Sequence, residues 1–262
     1  MQSDQTTKTC LLFLDAPFQS YGASSDWDIR GTQWFPTKSS TVGMLTAAMG
    51  YGRTHPELEA LLPRLSSFHM IAVAVPTEVR LGNTYSRKVM PSKMRDYHVI
   101  REGQTRRCER NAIGDLAVNT APVVTERWYL NDSRFIVLLT MPTDEVARIQ
   151  AALENPVYLI SFGRRNCLPS SPLLRGVFDS VEEAWNSEVA KALTRGCQMI
   201  ELPFMRDVDS PGEGNDVIMD VPISFGRRKF GSRSVLVNIP NSMTTGGDSD
   251  EESNDAAVPD SV

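Results

Sequence analysis

RFIVLLTMPTDEVARIQAALENPVYLISF, residues 134–162, carries two apolar runs on either side of a segment with helical spacing. The run 134–140 is short and apolar and reads as a strand. Thr143 stands where a helix cap belongs, and Asp144 and Glu145 favour the first turn through the helix dipole. Val146, Ile149 and Leu153 then give that helix one apolar face. The run 157–162 reads as the strand that returns.

The same order occurs earlier in the chain. Residues 9–15 (TCLLFLD) read as a strand, and Val42, Leu45 and Met49 repeat at helical spacing before Gly50 stops the helix. Residues 70–75 (MIAVAV) form a further strand, ended by Pro76. Strand, helix, strand, then strand, helix, strand is the ferredoxin-like pattern of RNA-recognition folds. The expected fold class is α+β: a ferredoxin-like, RRM-like domain over residues 9–165 with a thumb hairpin inserted at about 77–126. The aromatic signature of an ordinary RRM is absent.

Beyond residue 165 the pattern changes. Ser180 and Glu183 suggest a capping box for a helix holding Val181, Ala184, Trp185 and Val189. Segments 198–204, 217–225 and 234–239 read as short strands, so 166–240 is expected to be a smaller β-rich part. Residues 241–262 are polar, acidic and poor in apolar side chains, a composition expected to be disordered. SFGRR occurs at 161–165 and again at 224–228.

The formal net charge of −5 conceals a strong asymmetry. The tail after Pro240 has six acids and no base, and without it the balance is +1. Residues 80–110 hold nine bases and three acids, a local charge of +6. Local charge sets where polyanions dock. Lys88, Lys93, Arg95, Arg101, Arg106, Arg107 and Arg110 in this segment are candidate phosphate contacts, and Tyr97 and His98 can stack on unpaired bases. Pro36 to Ser40 forms a helix start at which backbone N–H groups, Lys38 and Ser39 converge, as phosphate sites do. Gln19, Tyr21, Trp27, Arg30 and Trp34 make a polar–aromatic mixture before it, and Arg164 and Arg165 follow Gly163, which permits close backbone approach. The bland alternatives are a capped helix start, loop packing and solvated arginines.

Four separated cysteines without a Cys-x-x-Cys pair, and three scattered histidines without His-Glu-x-x-His, give no metal site or cofactor a foothold. No stretch has the roughly 20 apolar residues that span a bilayer, and Met1 to Lys8 is not a signal peptide. A cytoplasmic location is expected, with no membrane partner.

Leu14-Asp15-Ala16-Pro17-Phe18-Gln19-Ser20-Tyr21-Gly22, Phe35-Pro36-Thr37-Lys38-Ser39, Arg95-Asp96-Tyr97-His98, Trp128-Tyr129-Leu130 and Gly163-Arg164-Arg165-Asn166-Cys167 occur in that order. Together they resemble the CasD family, the Cascade subunit of type I-E CRISPR systems. The family commonly has Gly before the proline and Trp before the glycine of the first piece; here those positions are Ala16 and Tyr21. The resemblance implies a RAMP-type domain with a thumb and a non-catalytic role in antiviral defence. It also implies binding of the crRNA 5′ handle, beside the backbone subunits and the large subunit. Relatives in type I-C systems cut RNA, which supplies the alternative: a metal-independent repeat endoribonuclease using Tyr97, His98 and Lys93.

Overall fold

The computed structural model describes residues 6–25, 28–81, 84–88, 91–100, 107–110, 116–119 and 123–240. The chain begins with β1 (Thr7–Gln19), β2 (Gly22–Ser25) and β3 (Ile29–Thr32), followed by α1 (Lys38–Ala48), α2 (Leu58–Ser66) and β4 (His69–Ala74). Next come β5 (Thr77–Leu81), β6 (Thr84–Lys88), β7 (Ser92–Ile100), β8 (Arg107–Arg110) and β9 (Leu116–Asn119). The long β10 (Val123–Pro142) leads into α3 (Thr143–Glu154) and then β11 (Leu174–Phe178). The chain finishes with α4 (Val181–Asn186), α5 (Glu188–Thr194), β12 (Phe204–Asp207), β13 (Asp216–Ser224) and β14 (Lys229–Asn238).

One sheet organises the molecule, in the order β11–β1–β10–β4–β12–β14–β13, with antiparallel pairing along this path. The apolar runs of β1, β4 and β10 are continuous because both faces of the sheet are covered. On one face Leu12, Leu14, Val137 and Leu139 pack with Leu45, Leu62 and Ile149 of α1, α2 and α3. On the other, Leu11, Phe13, Ile71 and Ile136 pack with Ala184, Trp185 and Ala190 of α4 and α5. Burying each such side chain stabilises the fold by roughly 1.5–3 kcal/mol. The second layer also removes the central sheet face as a surface for RNA.

Three expectations change. The run 157–162 is not a strand; Val157, Tyr158 and Leu159 are exposed, and the N–H groups of Val157 and Tyr158 donate to Ala48 and Ala47 at the end of α1. Leu174–Phe178 takes the edge beside β1 instead. The helix expected across 181–189 breaks in two at Ser187, whose hydroxyl accepts from the Ala190 N–H and caps α5. The strand expected at 198–204 is a 3₁₀ turn at Met199–Glu201, and β12 starts only at Phe204. The strands of 166–240 continue the main sheet, with β12 pairing directly with β4.

Buried ions join α1 to these last strands. Lys38 Nζ lies 2.8 Å from Asp207 Oδ2, and Arg233 bridges Asp207 and Asp220, its Nε 2.7 Å from Asp220 Oδ1. The backbone N–H of Lys38 donates to Asp220 Oδ2 at 2.6 Å. Among the described residues no helix is long and apolar enough to cross a membrane, and no three His, Cys, Asp or Glu side chains group as metal ligands.

Candidate nucleic-acid interface

From Asn131 back to Val123 the β10 strand pairs with β7, Asn131↔Ser92 to Val123↔Ile100, while β1 stays beside it only as far as Leu130 and β4 only from Phe135 to Thr140. β3 runs parallel along its other edge at Glu126↔Ile29 and Arg127↔Arg30. Side chains alternate between the faces of this arm. One face carries Lys93, Arg95, Tyr97 and Val99 beside Trp128, Glu126 and Val124; the other carries Asp96 and His98 beside Arg127 and Thr125.

On the first face the Lys93 ammonium sits 3.9 Å from the centroid of Trp34, a cation–π contact. Burial holds Lys93 below the ordinary lysine value. Arg95 is exposed, with Glu126 3.9 Å away, and Tyr97 is 54% exposed with its ring open to solvent. Trp34 itself is partly exposed. Cations and an exposed phenol on one strand face, with a partly exposed indole packed on Lys93, suit phosphates and unpaired bases. On the second face His98 Nε2 lies 3.3 Å from Asp96 Oδ1, so the carboxylate two positions away orients the imidazole.

Arg164 flanks the arm. Its guanidinium lies 4.5 Å from the centroid of Tyr129 and donates to the Arg30 carbonyl at 3.0 Å. Tyr129 also receives the edge of Phe18 at 5.9 Å, and its hydroxyl accepts from Asn166 Nδ2 at 3.2 Å. Arg30 and Arg165 are exposed beside this cluster. The turn is fixed by Gly163, whose φ is +90° and whose missing Cβ would lie 1.6 Å from the Ser20 carbonyl oxygen. The close approach expected of Gly163 is therefore to the chain itself.

Gln19, Tyr21 and Lys38, expected at the RNA surface, lie in the interior. Gln19 Nε2 donates to the Ser133 carbonyl at 2.5 Å, and its Oε1 accepts from the Tyr21 hydroxyl. The Tyr21 ring meets Phe135 edge-on at 6.2 Å, and burial pushes its hydroxyl well above the usual tyrosine range. These polar groups are buried because each finds a partner inside. Lys38 turns into the ion cluster, and the Asp220 carboxylate occupies the α1 start where an external phosphate was expected. Ser39 is half-buried, its hydroxyl 3.2 Å from that of Thr37.

Lys88 lies on β6, and Arg107 and Arg110 lie on β8. Arg101, Arg106, Trp27 and the acidic tail lie outside the described residues. Trp34, part of the polar–aromatic mixture read from the sequence, joins the site, and Trp128 joins it without a role having been assigned to it; a Trp-Tyr pair after a basic segment was the available signal.

The chain is similar to the CRISPR system Cascade subunit CasD of Escherichia coli (strain K12), at 28% identity over 171 residues, covering 63% of this chain and 69% of that one. A structure described as a CRISPR RNA-guided surveillance complex matches with TM-score 0.61 and 22% identity, covering 90% of this chain and 92% of its own. A crystal structure of a Cas protein matches with TM-score 0.54 and 23% identity, covering 91% and 98%. Residues 9–236 match the family described as CRISPR-associated protein (Cas_Cas5), and the chain belongs to that family.

Proposed function

We propose that this chain is a non-catalytic crRNA-binding subunit of a type I-E CRISPR Cascade surveillance complex, capping the 5′ handle of the guide in antiviral defence. The likeness to a Cascade subunit supports the complex, with backbone and large subunits as its neighbours. The order β11–β1–β10–β4, joined through helices, supports a ferredoxin-like RAMP domain, and the strands between β4 and β10 supply its thumb.

The observation that carries the RNA-binding reading is the open face of the arm: Trp34 over Lys93, then Arg95 and Tyr97 along one strand face. The test is binding of handle RNA by wild type and by Arg95→Ala/Tyr97→Ala across a salt series. Each phosphate neutralised on a single strand contributes about 0.7 to the log–log slope. The variant is expected to bind more weakly with a flatter slope. Unchanged affinity and slope would assign the arm to another partner.

The endoribonuclease reading has one observation in its favour, the Asp96–His98 pair. Against it, Lys93 and Tyr97 stand on the face of β7 opposite His98, so the three residues that such chemistry would use do not converge.

A further inference from the structure

The segment SFGRR at 224–228 repeats the 161–165 segment beside the arm. In both turns the phenylalanine packs inward and the final arginine is exposed: Phe162 is buried, Phe225 packs against the core, and Arg165 and Arg228 face solvent. The second turn joins β13 to β14. Phe225 lies against Gly43 of α1, where a Cβ would meet its ring at 3.5 Å, and Gly226 faces the Arg53 carbonyl, 3.4 Å from where its Cβ would stand. Arg53, Arg227, Arg228 and Lys229 are all exposed around this contact.

Further groups extend the same surface. Arg148 of α3 donates to the Tyr51 hydroxyl at 2.8 Å, and Tyr51 meets His55 edge-on at 4.8 Å. Tyr158, half-exposed, is fastened by its N–H to the Ala47 carbonyl at the end of α1. Glu57 stands just before α2 and Glu59 in its first turn, and Glu59 is engaged by Ser224 Oγ at 2.6 Å and by Arg227 at 3.7 Å. Among the side chains named here, five bases stand against two acids. Arginine forks match phosphate oxygens, and an exposed ring such as that of Tyr158 accepts bases without regard to sequence. This surface stands at the far end of α1 from Trp34, about 16 Å of helix away.

We propose that Arg53, Arg148, Arg227, Arg228 and Lys229 hold the phosphodiester backbone of a single-stranded nucleic acid, a second contact apart from the β7–β10 arm. The full chain is titrated with labelled oligo(U) and, separately, oligo(dT), in wild type and in Arg53→Ala/Arg227→Ala/Arg228→Ala. The three side chains are exposed, so an unchanged melting temperature is the control for folding. The triple variant should lower the log–log salt slope by about 2, from about 0.7 for each lost phosphate contact. Arg227→Lys should keep the slope. The loss should recur in an Arg95→Ala/Tyr97→Ala background, which separates this surface from the arm whatever the arm binds. A loss with oligo(U) alone assigns the contact to RNA, and a loss with both assigns it to the shared backbone. An unchanged slope with both probes overturns the proposal. So does a variant that binds both probes normally but no longer binds a purified acidic partner subunit, which would make the turn a protein contact.

Discussion

The ammonium of Lys38 lies 2.8 Å from the carboxylate of Asp207, and through this pair the start of α1 is fastened to the strands that end the described chain. Arg233 closes the cluster between Asp207 and Asp220, and the Met70 N–H donates to Asp207 at 2.9 Å. Burial would raise the Asp207 carboxyl, but the charges of Arg233 and Lys38 outweigh it and hold the group below its ordinary 3.8. Lys38 is also lowered, because for the ammonium burial outweighs the neighbouring carboxylates.

Asp207→Asn should cost about 3–5 kcal/mol, the usual penalty for leaving buried charges without their partner. The wild-type contribution has a definite pH signature. A carboxyl depressed in the folded state stabilises fully above its unfolded value and loses that contribution as pH falls through the folded one. Melting temperatures measured from neutral pH downward should therefore keep the Asp207 contribution until the pH reaches the ordinary 3.8 and lose it as the pH drops further, and the variant's curve should be flatter there.

Gly163→Ala should be among the most damaging single substitutions. The new methyl would stand 1.6 Å from the Ser20 carbonyl oxygen, and the +90° φ is costly for any side chain. A loss of about 3 kcal/mol or more is expected, read as a depressed denaturation midpoint. Gly196→Ala provides a comparison, since its φ is also positive at +74° but no atom lies within 4 Å of the new Cβ.

Trp34→Ala should weaken handle RNA binding while leaving the fold intact. The indole is partly exposed and holds Lys93 in place. Stacking on one base is worth roughly 1–3 kcal/mol, so fluorescence anisotropy should show a loss of about fivefold or more. Trp34→Phe should recover part of it. Equal affinity in Trp34→Ala would mean that the indole serves only to shelter Lys93.

The sheet strands β1, β4 and β10 and the helices α1 and α3 were legible because each carries a continuous apolar run or a helical apolar spacing that the fold buries. Residues 157–162 misled because a short apolar run looks the same whether it enters a sheet or lies on a surface. The strand that pairs with β1 there, Leu174–Phe178, contains Arg175 and Gly176 and gives a weaker signal. In the site, the aromatic and cationic side chains of β7 were legible from composition. The burial of Gln19, Tyr21 and Lys38 was not. Their partners Ser133, Phe135 and Asp207 lie more than a hundred residues away, and only the folded sheet brings them together.

The central claim is that this chain holds handle RNA without cutting it. The most direct measurement incubates purified wild type and His98→Ala with repeat RNA in EDTA from pH 6 to 9 and follows binding and strand length together. General acid–base catalysis typically contributes 10²–10⁴-fold in rate, well within reach of a gel. The account predicts that both proteins leave the RNA intact and that wild type binds it. Cleavage at one defined position by wild type, lost in His98→Ala, would contradict the account and make the Asp96–His98 pair catalytic.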